Sequence, residues 1–469
     1  MHKKKKKKKK TRQTDRQTLQ TKTLREMEIE TINVDTRVQE ILLAASNHDV
    51  PKLRELVLSH ENENDDDIGN PVNVRDPETG FTPLHAAIAA CEYDTEDEED
   101  RVENEQGSEQ QATNSIKVTN GVASHDDNDN EKKKEEERNS ILQAGVNTVK
   151  FLLQEGAIWN DLDLNDETPG CIARRIGAKE LYEMMVDAGV RAELLLNRLE
   201  EYEPLEDDDE DEHENENEPQ STETETGTTN TSQQQQQQQQ PTSQNDHYLT
   251  SHLTFQNDRL LDQDQNGVMM AWERDLMTKS AQKLLSSTTS STTGPRILNI
   301  GHGMGIIDST FQSSSSSTPP SSHYIVEAHP AVIEQMKQSG WFEKPGVHII
   351  QGRWQDVLPS LCEQGVMFDI IYYDTFAEDY SAFRNFFNEI VIGLLDENGV
   401  WSFFNGMGAD RQISYDVYQK VVEMDLFEAG FDVEWEDVHV PELEGQWHGV
   451  RRPYWAVENY RLPLCKYMD

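Results

Sequence analysis

The chain has 469 residues and is strongly acidic, with 88 Asp and Glu residues against 43 Lys and Arg and a formal net charge of −45. Its mean hydropathy is −0.80, and no segment is apolar enough for a membrane span or a secretory signal. The four cysteines are widely spaced, which argues against a zinc site or a disulfide framework. We therefore expect a cytoplasmic and nuclear protein with no bound metal, and its negative charge disfavours nucleic acid as a direct partner.

The N-terminal 30 residues are polar and unpatterned, and residues 3–10 are all lysine. A lysine run of this kind is either a localisation or RNA-contact patch or a solvated tail without a partner. In both interpretations residues 1–30 are predicted to be a disordered basic and polar tail.

Between residues 36 and 197 apolar residues recur at helical spacing, beginning with two short helices over residues 38–58. Thr82 to His85 reads Thr-Pro-Leu-His, which predicts a threonine N-cap with proline at the first helical position. Thr168 starts a second, eroded copy. Because this turn in a unit of about 33 residues resembles the ankyrin repeat, an all-α ankyrin-like repeat domain is expected over 36–197. The alternative is an unrelated array of helical hairpins.

Two windows carry much of the negative charge. Residues 92–138 hold 17 acidic and 6 basic residues, and residues 200–246 hold 16 acidic and no basic residues. Such sequences cannot bury enough apolar surface to offset the entropy of ordering. They predict an acidic insertion at about 92–140 and a disordered acidic and polyglutamine linker at 198–246.

Residues 247–469 have the pattern of an α/β domain, in which short β-branched or aromatic runs alternate with helical segments. Strands are predicted at residues 296–300, 323–327, 347–350, 368–374 and 399–404. Because about 20 to 30 residues separate their starts, crossover connections and a mainly parallel sheet follow. The fold class expected for this part is a Rossmann-like domain.

A glycine-rich turn follows the first of these strands, with the sequence Gly301-His302-Gly303-Met304-Gly305-Ile306. Glycines let a ligand approach the backbone, and the following helix start offers free N–H groups. The third glycine of the dinucleotide fingerprint is replaced by isoleucine, which suits S-adenosylmethionine better than a pyrophosphate. A glycine turn that merely ends a strand is the alternative.

Three further positions could contact the same ligand. Glu327 ends the second strand, where a carboxylate can accept hydrogen bonds from two ribose hydroxyls. His329 is either a ligand contact or a helix cap. Trp354, followed by Gln355, is placed to stack on an adenine, or else is a buried core anchor.

Two acidic residues, Asp374 and Glu273, are the candidate catalytic residues. Asp374 closes the fourth strand, so it points towards the crevice where ligands bind in such sheets. Glu273 lies in a segment that we interpret as an amphipathic helix with Met270, Glu273 and Met277 on one face. A methionine stripe of this kind is typical of a core, but an unpaired acid on an apolar face is unusual.

These motifs together resemble the fungal-type protein arginine N-methyltransferase 2 family, whose catalytic domain is related to guanidinoacetate N-methyltransferase. The resemblance rests on residues 267–273, 297–307, 324–329, 352–356 and 373–376. His302 departs from it, since relatives usually carry an aromatic residue there. The resemblance implies S-adenosyl-L-methionine as cofactor and type IV methylation, at the internal (δ) guanidino nitrogen of arginine.

The resemblance also implies roles for individual residues, with Glu273 and Asp374 as the catalytic pair that grips the guanidinium and accepts its proton. The implied cofactor contacts are Phe255, Met270, Gly301, His302, Gly303, Met304, Gly305, Ile306, Glu327, Ala328, His329, Trp354, Gln355 and Asp374. Trp401, Asn405 and Trp455 are expected to shape the substrate channel.

The implied partner is a protein substrate, a large-subunit ribosomal protein, bound by a monomeric enzyme. Two other functions remain open. One is a small-molecule guanidino methyltransferase that acts on a guanidinoacetate-like substrate. The other is a non-catalytic ankyrin adaptor with an inactive Rossmann-like domain.

Overall fold

The computed structural model describes residues 36–58, 70–93, 125–199, 242–256, 258–288, 294–313, 319–443 and 445–468. The tail at 1–30 and most of the acidic insertion and linker lie outside these ranges. The chain divides into two compact units. One runs up to Ala192 and includes Arg411–Val417, and the other comprises Glu193–Asp410 and Tyr418–Asp469.

The N-terminal part of the described chain is helical. Its elements are α1 (residues 36–46), α2 (Val50–Leu58), a 3₁₀ turn (Pro71–Asn73), α3 (Pro83–Ala89), α4 (His125–Gln154), α5 (Pro169–Arg175) and α6 (Lys179–Leu199). Helix α4 begins at His125, so the described part of the acidic insertion from residue 125 onward is helical. A run rich in Glu and Lys can remain helical on a solvated face, since these residues are good helix formers.

Both Thr-Pro sequences start helices as expected. The Thr82 side chain caps α3, whose first residue is Pro83, and the Thr168 hydroxyl accepts a hydrogen bond of 3.2 Å from the N–H of Cys171 at the start of α5. Nδ1 of His85 accepts a hydrogen bond of 3.2 Å from the Thr82 N–H, and its Nε2 lies 3.1 Å from the carbonyl oxygen of Glu167. The two turns are therefore joined by a buried imidazole.

The second unit begins with a small antiparallel sheet after α7 (Thr242–Thr250). Its strands are β1 (Thr254–Phe255), β2 (Arg259–Leu261) and β3 (Gly267–Met270). The amphipathic helix expected here was wrong in its start, because Gly267–Met270 is a strand and Ala271–Glu273 a 3₁₀ turn. Helix α8 (Arg274–Ser287) begins only after Glu273. Pairing of β3 with β2 overrides the helical spacing of the methionines.

A seven-stranded sheet forms the centre of this unit. Its strands are β4 (Arg296–Ile300), β5 (Ser322–Glu327), β6 (Val347–Gln351), β7 (Phe368–Tyr373), β8 (Leu395–Phe403), β9 (Phe431–His439) and β10 (Asn459–Tyr467). They lie in the order β6-β5-β4-β7-β8-β10-β9. The pairs from β6 to β8 are parallel, and β10 is antiparallel to both β8 and β9. The predicted parallel strands are all present, and the first five strands follow the 3-2-1-4-5 order of doubly wound folds.

Helices connect these strands and complete the core. They are α9 (Ile306–Ser313), α10 (Pro330–Gln338), α11 (Trp354–Glu363), α12 (Tyr380–Asn385), which continues through a π-helical turn (Phe386–Val391) into α13 (Ile392–Leu394), and α14 (Gln412–Glu428), with a 3₁₀ turn at Trp341–Glu343. Ile297, Ile325 and Ile370 of three neighbouring strands are fully buried in one apolar cluster. Because β4 pairs in parallel with both β5 and β7, the carboxyl ends of these three strands meet at one edge of the sheet.

No helix within the described ranges is both long and apolar enough to cross a bilayer. In the same ranges no cluster of three or more His, Cys, Asp and Glu side chains is arranged to bind a metal ion.

Candidate active site

The glycine turn after β4 has the backbone that its sequence predicts. Gly301, Gly303 and Gly305 have φ values of 91°, 53° and 68°, in the left-handed region that favours glycine. A Cβ on Gly301 would overlap the carbonyl oxygen of Asp374, and one on Gly303 would lie 2.7 Å from Met269. Glycine is thus required at position 301 both by the positive φ and by the close approach of Asp374, which follows the neighbouring strand β7.

Glu327 fastens this turn to the end of β5. Its side chain is 6% exposed, and its Oε2 accepts hydrogen bonds from the N–H groups of His302 (2.9 Å) and Gly303 (3.4 Å). Its Oε1 accepts one of 2.7 Å from the N–H of His329. Since each carboxylate oxygen has two lone pairs, the side chain retains acceptor capacity for a hydroxyl in the adjoining cavity.

A first cavity lies over this edge of the sheet. The predicted cofactor residues that line it are Gly301, Gly303, Glu327, Ala328, Trp354 and Asp374. Tyr248, Val268 and Met269 close it from α7 and β3, two elements on which the sequence analysis placed no cofactor contact apart from Met270.

Other predicted contacts lie behind the cavity wall. Met270 and Ile306 are buried, and Phe255 packs against the apolar core from β1. Met304 packs on the same core and its N–H lies 3.2 Å from Sδ of Met269. Gly305 has its backbone against the His302 ring. None of these five predicted contacts is among the residues that line the first cavity.

The His302 side chain points into a buried polar cluster. Its Nδ1 lies 2.7 Å from Oδ2 of Asp308, and Nε2 of His323 lies 2.9 Å from Oδ1. Burial alone would raise the pKa of Asp308, but the two histidines hold that pKa at about 2. The ring of His302 also meets Trp341 edge to face. The His302 side chain therefore packs behind the turn, and its backbone N–H donates to Glu327.

His329 and Gln355 do not line the first cavity themselves, but each contacts a residue that does. Nδ1 of His329 accepts a hydrogen bond of 3.1 Å from the N–H of Ala331 at the start of α10, and its Nε2 lies 3.1 Å from the Tyr248 carbonyl. Of the two interpretations, the structure places His329 as the helix cap. Burial lowers its pKa. Gln355 is exposed and donates a 2.9 Å hydrogen bond to Glu378.

Trp354 combines its two interpretations, because it is buried and also lines the first cavity. Its indole N–H donates to both oxygens of Glu378, at 3.0 and 3.1 Å. Tyr373 donates a third hydrogen bond, of 2.6 Å, to the same carboxylate. Glu378 was not identified from the sequence, because it lies in a loop and only these distant donors mark it.

Glu273 ends the 3₁₀ turn after β3 and is 3% exposed. Its Oε1 accepts hydrogen bonds from the N–H of Met270, at 3.1 Å, and from the hydroxyl of Tyr454. Burial and the charge of Asp374 raise its pKa to about 8. In the resting protein this carboxyl group is therefore largely protonated at neutral pH.

Asp374 follows β7 and is fixed by its backbone, whose N–H donates 2.9 Å to the Ile300 carbonyl. Its Oδ2 is buried and has no hydrogen-bond partner among the residues that the structure describes. Burial, followed by the charges of Asp308 and Glu327, raises its pKa to about 7. A buried acceptor without a donor is costly, so this oxygen is prepared for a donor that comes from a ligand.

A second cavity, of about 310 Å³, adjoins the first. Glu273 and Asp374 both line it, and Asp374 lines both cavities. Its wall contains four acidic side chains, Glu273, Asp374, Glu378 and Asp379, and several aromatic rings. Among the described residues that line it there is no Lys, Arg or His. The arrangement suits a flat organic cation.

The C-terminal residues proposed for a substrate channel divide into two groups. Asn405 lines the second cavity. Trp401 of β8 is fully buried in an aromatic cluster, and Trp455 is 3% exposed, with its ring centroid 5.5 Å from that of Trp272. Tyr454, which does line the cavity, was missed because no local pattern marks a tyrosine whose partner is distant in sequence.

The residues of the first cavity fit S-adenosyl-L-methionine. The glycine turn admits the methionyl part close to the backbone, Glu327 offers acceptors for ribose hydroxyls, and Trp354 offers an aromatic surface for adenine. Bound there, the cofactor supplies an electrophilic methyl group on a sulfonium.

Comparisons with known proteins identify the family to which the chain belongs. A family model of guanidinoacetate N-methyltransferase matches residues 245–447. The chain is 59% identical over 452 residues to the Aspergillus fumigatus protein arginine N-methyltransferase 2, covering 93% of this chain and 98% of that protein. It is 41% identical over 465 residues to the Neurospora crassa protein of the same name, covering 92% and 96%. Among solved structures, Aeropyrum pernix fibrillarin with natively bound S-adenosyl-L-methionine matches with 13% identity and a TM-score of 0.28, covering 46% of this chain and 83% of that chain.

The sheet, the glycine turn and the matched region define a Rossmann-like, S-adenosyl-L-methionine-dependent methyltransferase. The identity to the two fungal proteins extends over nearly the whole chain. The chain belongs to the protein arginine N-methyltransferase 2 family.

Proposed function

We propose that the protein methylates the internal (δ) guanidino nitrogen of arginine in a protein substrate, which is type IV arginine methylation. The observation that carries this proposal is the placement of Glu273 and Asp374 in one cavity that adjoins the cofactor cavity. The names of the fungal relatives support arginine as the methyl acceptor.

The two carboxyl groups supply what a guanidinium needs to react. A guanidinium is protonated up to a pKa above about 12 and has no free lone pair for attack. Entry of the cation favours the ionised forms of Glu273 and Asp374, which then orient its planar fork. Asp374 borders both cavities, so we assign to its Oδ2 the proton that the reacting nitrogen loses.

The charge of the second cavity favours arginine over guanidinoacetate. A small guanidino acid carries a carboxylate, and that group would lie in a cavity with four acidic and no basic side chains among its described lining residues. Like charges at close range in a cavity repel strongly. An arginine side chain in a protein has only an aliphatic stem at that end, so the same cavity accepts it.

The helical N-terminal part is proposed to be an ankyrin-like module that orients the protein substrate. The capped Thr82 and Thr168 turns, joined through His85, support this assignment. We further propose a large-subunit ribosomal protein as the substrate, a monomeric enzyme, and a location in cytoplasm and nucleus. The net charge of −45 would attract a basic protein of this kind.

In the test, the full chain is incubated with labelled cofactor in two separate reactions. One contains ribosomal proteins of the large subunit, and the other contains guanidinoacetate. Mass spectrometry of the hydrolysed protein then separates methylarginine isomers. Label in δ-N-methylarginine is expected. Label in guanidinoacetate alone would establish the small-molecule alternative, and label in a terminal-nitrogen isomer would refute the δ assignment.

The adaptor alternative requires a domain that does not bind its cofactor, so calorimetric titration with S-adenosyl-L-methionine decides it. We expect saturable binding at one site. A titration without heat, together with no methyl transfer to any substrate, would favour the adaptor.

A further inference from the structure

The connection between β9 and β10 borders the second cavity. We call residues 445–458 the strap. Two backbone hydrogen bonds hold it, from Arg451 N–H to the Gln265 carbonyl (2.8 Å) and from Ala456 N–H to the Ala409 carbonyl (2.7 Å). Tyr454 lies between these two anchors, so its backbone position is fixed on both sides.

The Tyr454 ring is also held in place by packing contacts. A Cβ on Gly267 would lie 2.8 Å from its Cε1, so the absence of a side chain on β3 leaves room for the ring. The ring centroids of Trp272 and Trp447 lie 6.0 and 4.9 Å from that of Tyr454. These contacts direct the phenol towards Glu273 and restrict its other rotamers.

The two oxygens of Glu273 are used differently. Oε1 accepts the hydroxyl of Tyr454 and the N–H of Met270. No hydrogen bond to Oε2 exists within the described part of the chain, and Glu273 lines the second cavity. One oxygen is therefore held by the protein while the other remains for a ligand.

We propose that Tyr454 is a positioning residue for the methyl transfer, which holds Glu273 so that Oε2 alone meets the substrate guanidinium. This inference rests on the proposed function. A freely rotating carboxylate grips a guanidinium with both oxygens. A carboxylate with one oxygen occupied makes a single contact, which leaves other N–H groups of the same cation to Asp374.

The same hydrogen bond affects when Glu273 ionises. The titratable groups that face it are Asp374, Tyr372 and Tyr454. Burial and Asp374 raise the pKa of Glu273, whereas the hydrogen bonds from Tyr454 and Met270 lower it. Without the hydroxyl, the pKa of Glu273 moves further up and its carboxylate appears only at higher pH.

Tyr454 lies outside the region that the family model matches. The match to the guanidinoacetate N-methyltransferase model ends at residue 447, so Tyr454 lies beyond it. Glu273 and Asp374 both lie within the matched region. The strap thus adds a contact to a catalytic carboxylate from outside the part that the small-molecule family model covers.

The experiment compares wild type with Tyr454→Phe, which removes only the hydroxyl. Tyr467→Phe is the matched control, because that hydroxyl lies 3.3 Å from the carbonyl oxygens of Ile392 and Leu395 and lines neither cavity. Steady-state kinetics with an arginine substrate is measured against pH. Infrared titration of the protonated carboxyl band, assigned with Glu273→Gln, follows the resting enzyme without substrate. Cofactor affinity serves as the check on folding.

For Tyr454→Phe we expect kcat to fall about tenfold to a hundredfold, with cofactor affinity unchanged. The acid limb of kcat/KM and the infrared titration of Glu273 should both move to higher pH. An infrared titration and a pH profile identical to wild type would overturn the inference. If wild type methylates no arginine, the proposed function fails, but the infrared titration still decides the role of Tyr454.

Discussion

Gly301 and Asp374 are in direct backbone contact: the α-carbon of Gly301 faces the Asp374 carbonyl so closely that a Cβ would overlap its oxygen. This contact joins the cofactor turn after β4 to the residue that borders both cavities. The position of the glycine turn and that of the candidate proton acceptor are therefore set by the same pair of neighbouring strands.

Gly301→Ala is expected to displace both the glycine turn and Asp374. The φ of 91° strains any other residue, and the overlap forces the two strands apart. Isothermal titration should show cofactor affinity weakened by more than about tenfold, together with a lower Tm. Gly430→Ala is the control, since Gly430 has a φ of 87° but nothing within 4 Å. Equal effects of the two substitutions on cofactor binding would show that the contact with Asp374 is unimportant.

Glu273→Gln and Asp374→Asn should each reduce kcat by about 10²- to 10⁴-fold, because each removes a charge that orients or deprotonates the guanidinium. Cofactor affinity should change far less, since the glycine turn and Glu327 remain. Single-turnover kinetics with calorimetry separates the two quantities. Glu363→Gln, an exposed position at the end of α11, should behave as wild type. Wild-type rates in both site variants would remove these residues from the mechanism.

The raised pKa values also predict how stability depends on pH. Glu273 titrates near 8 in the folded protein and near 4.5 when unfolded, so the folded state holds more protons between these values. Stability from this group is complete below pH 4.5 and is lost as pH rises towards 8, by about 1 kcal/mol per pH unit. Denaturation of Glu273→Gln should show a flatter profile. A wild-type curve parallel to that of the variant would contradict the raised pKa.

Activity should have the opposite pH dependence. The guanidinium stays charged throughout, whereas Glu273 and Asp374 ionise near 8 and 7 in the resting enzyme. We therefore expect kcat/KM to rise with pH through this range, because that quantity reports the free enzyme. Binding of an arginine peptide should release protons, measurable as a dependence of binding heat on the buffer. Binding without proton release at pH 7 would mean that both carboxylates are already ionised.

Local patterns predicted much of the cofactor side of the domain. The parallel strands are short apolar runs, and the turn at Gly301 and the acid at Glu327 follow directly from strand ends. Such features depend on residues that are neighbours in sequence. For the same reason the placement of Asp374 at a strand end was predictable.

The substrate side depends on contacts between distant segments. The spacing of Met270, Glu273 and Met277 fits a helix, but pairing with β2 makes its first part a strand. Tyr454 and Glu273 are separated by 181 residues. His302 was expected only as one of the residues of the cofactor turn, and the contact of its side chain with the buried Asp308 becomes visible only in the assembled fold.

The strap connects β9 and β10, which pair with each other in the sheet, and it brings Tyr454 to the second cavity from the C-terminal part of the sequence. Glu273 comes to the same cavity from a segment that precedes the glycine turn, and both cavities are lined by Val268, Asp374, Thr375, Phe376 and Glu378. The two cavities therefore share one wall, so that a substitution in this wall acts on both cavities, whereas a substitution at Tyr454 acts on the second cavity alone.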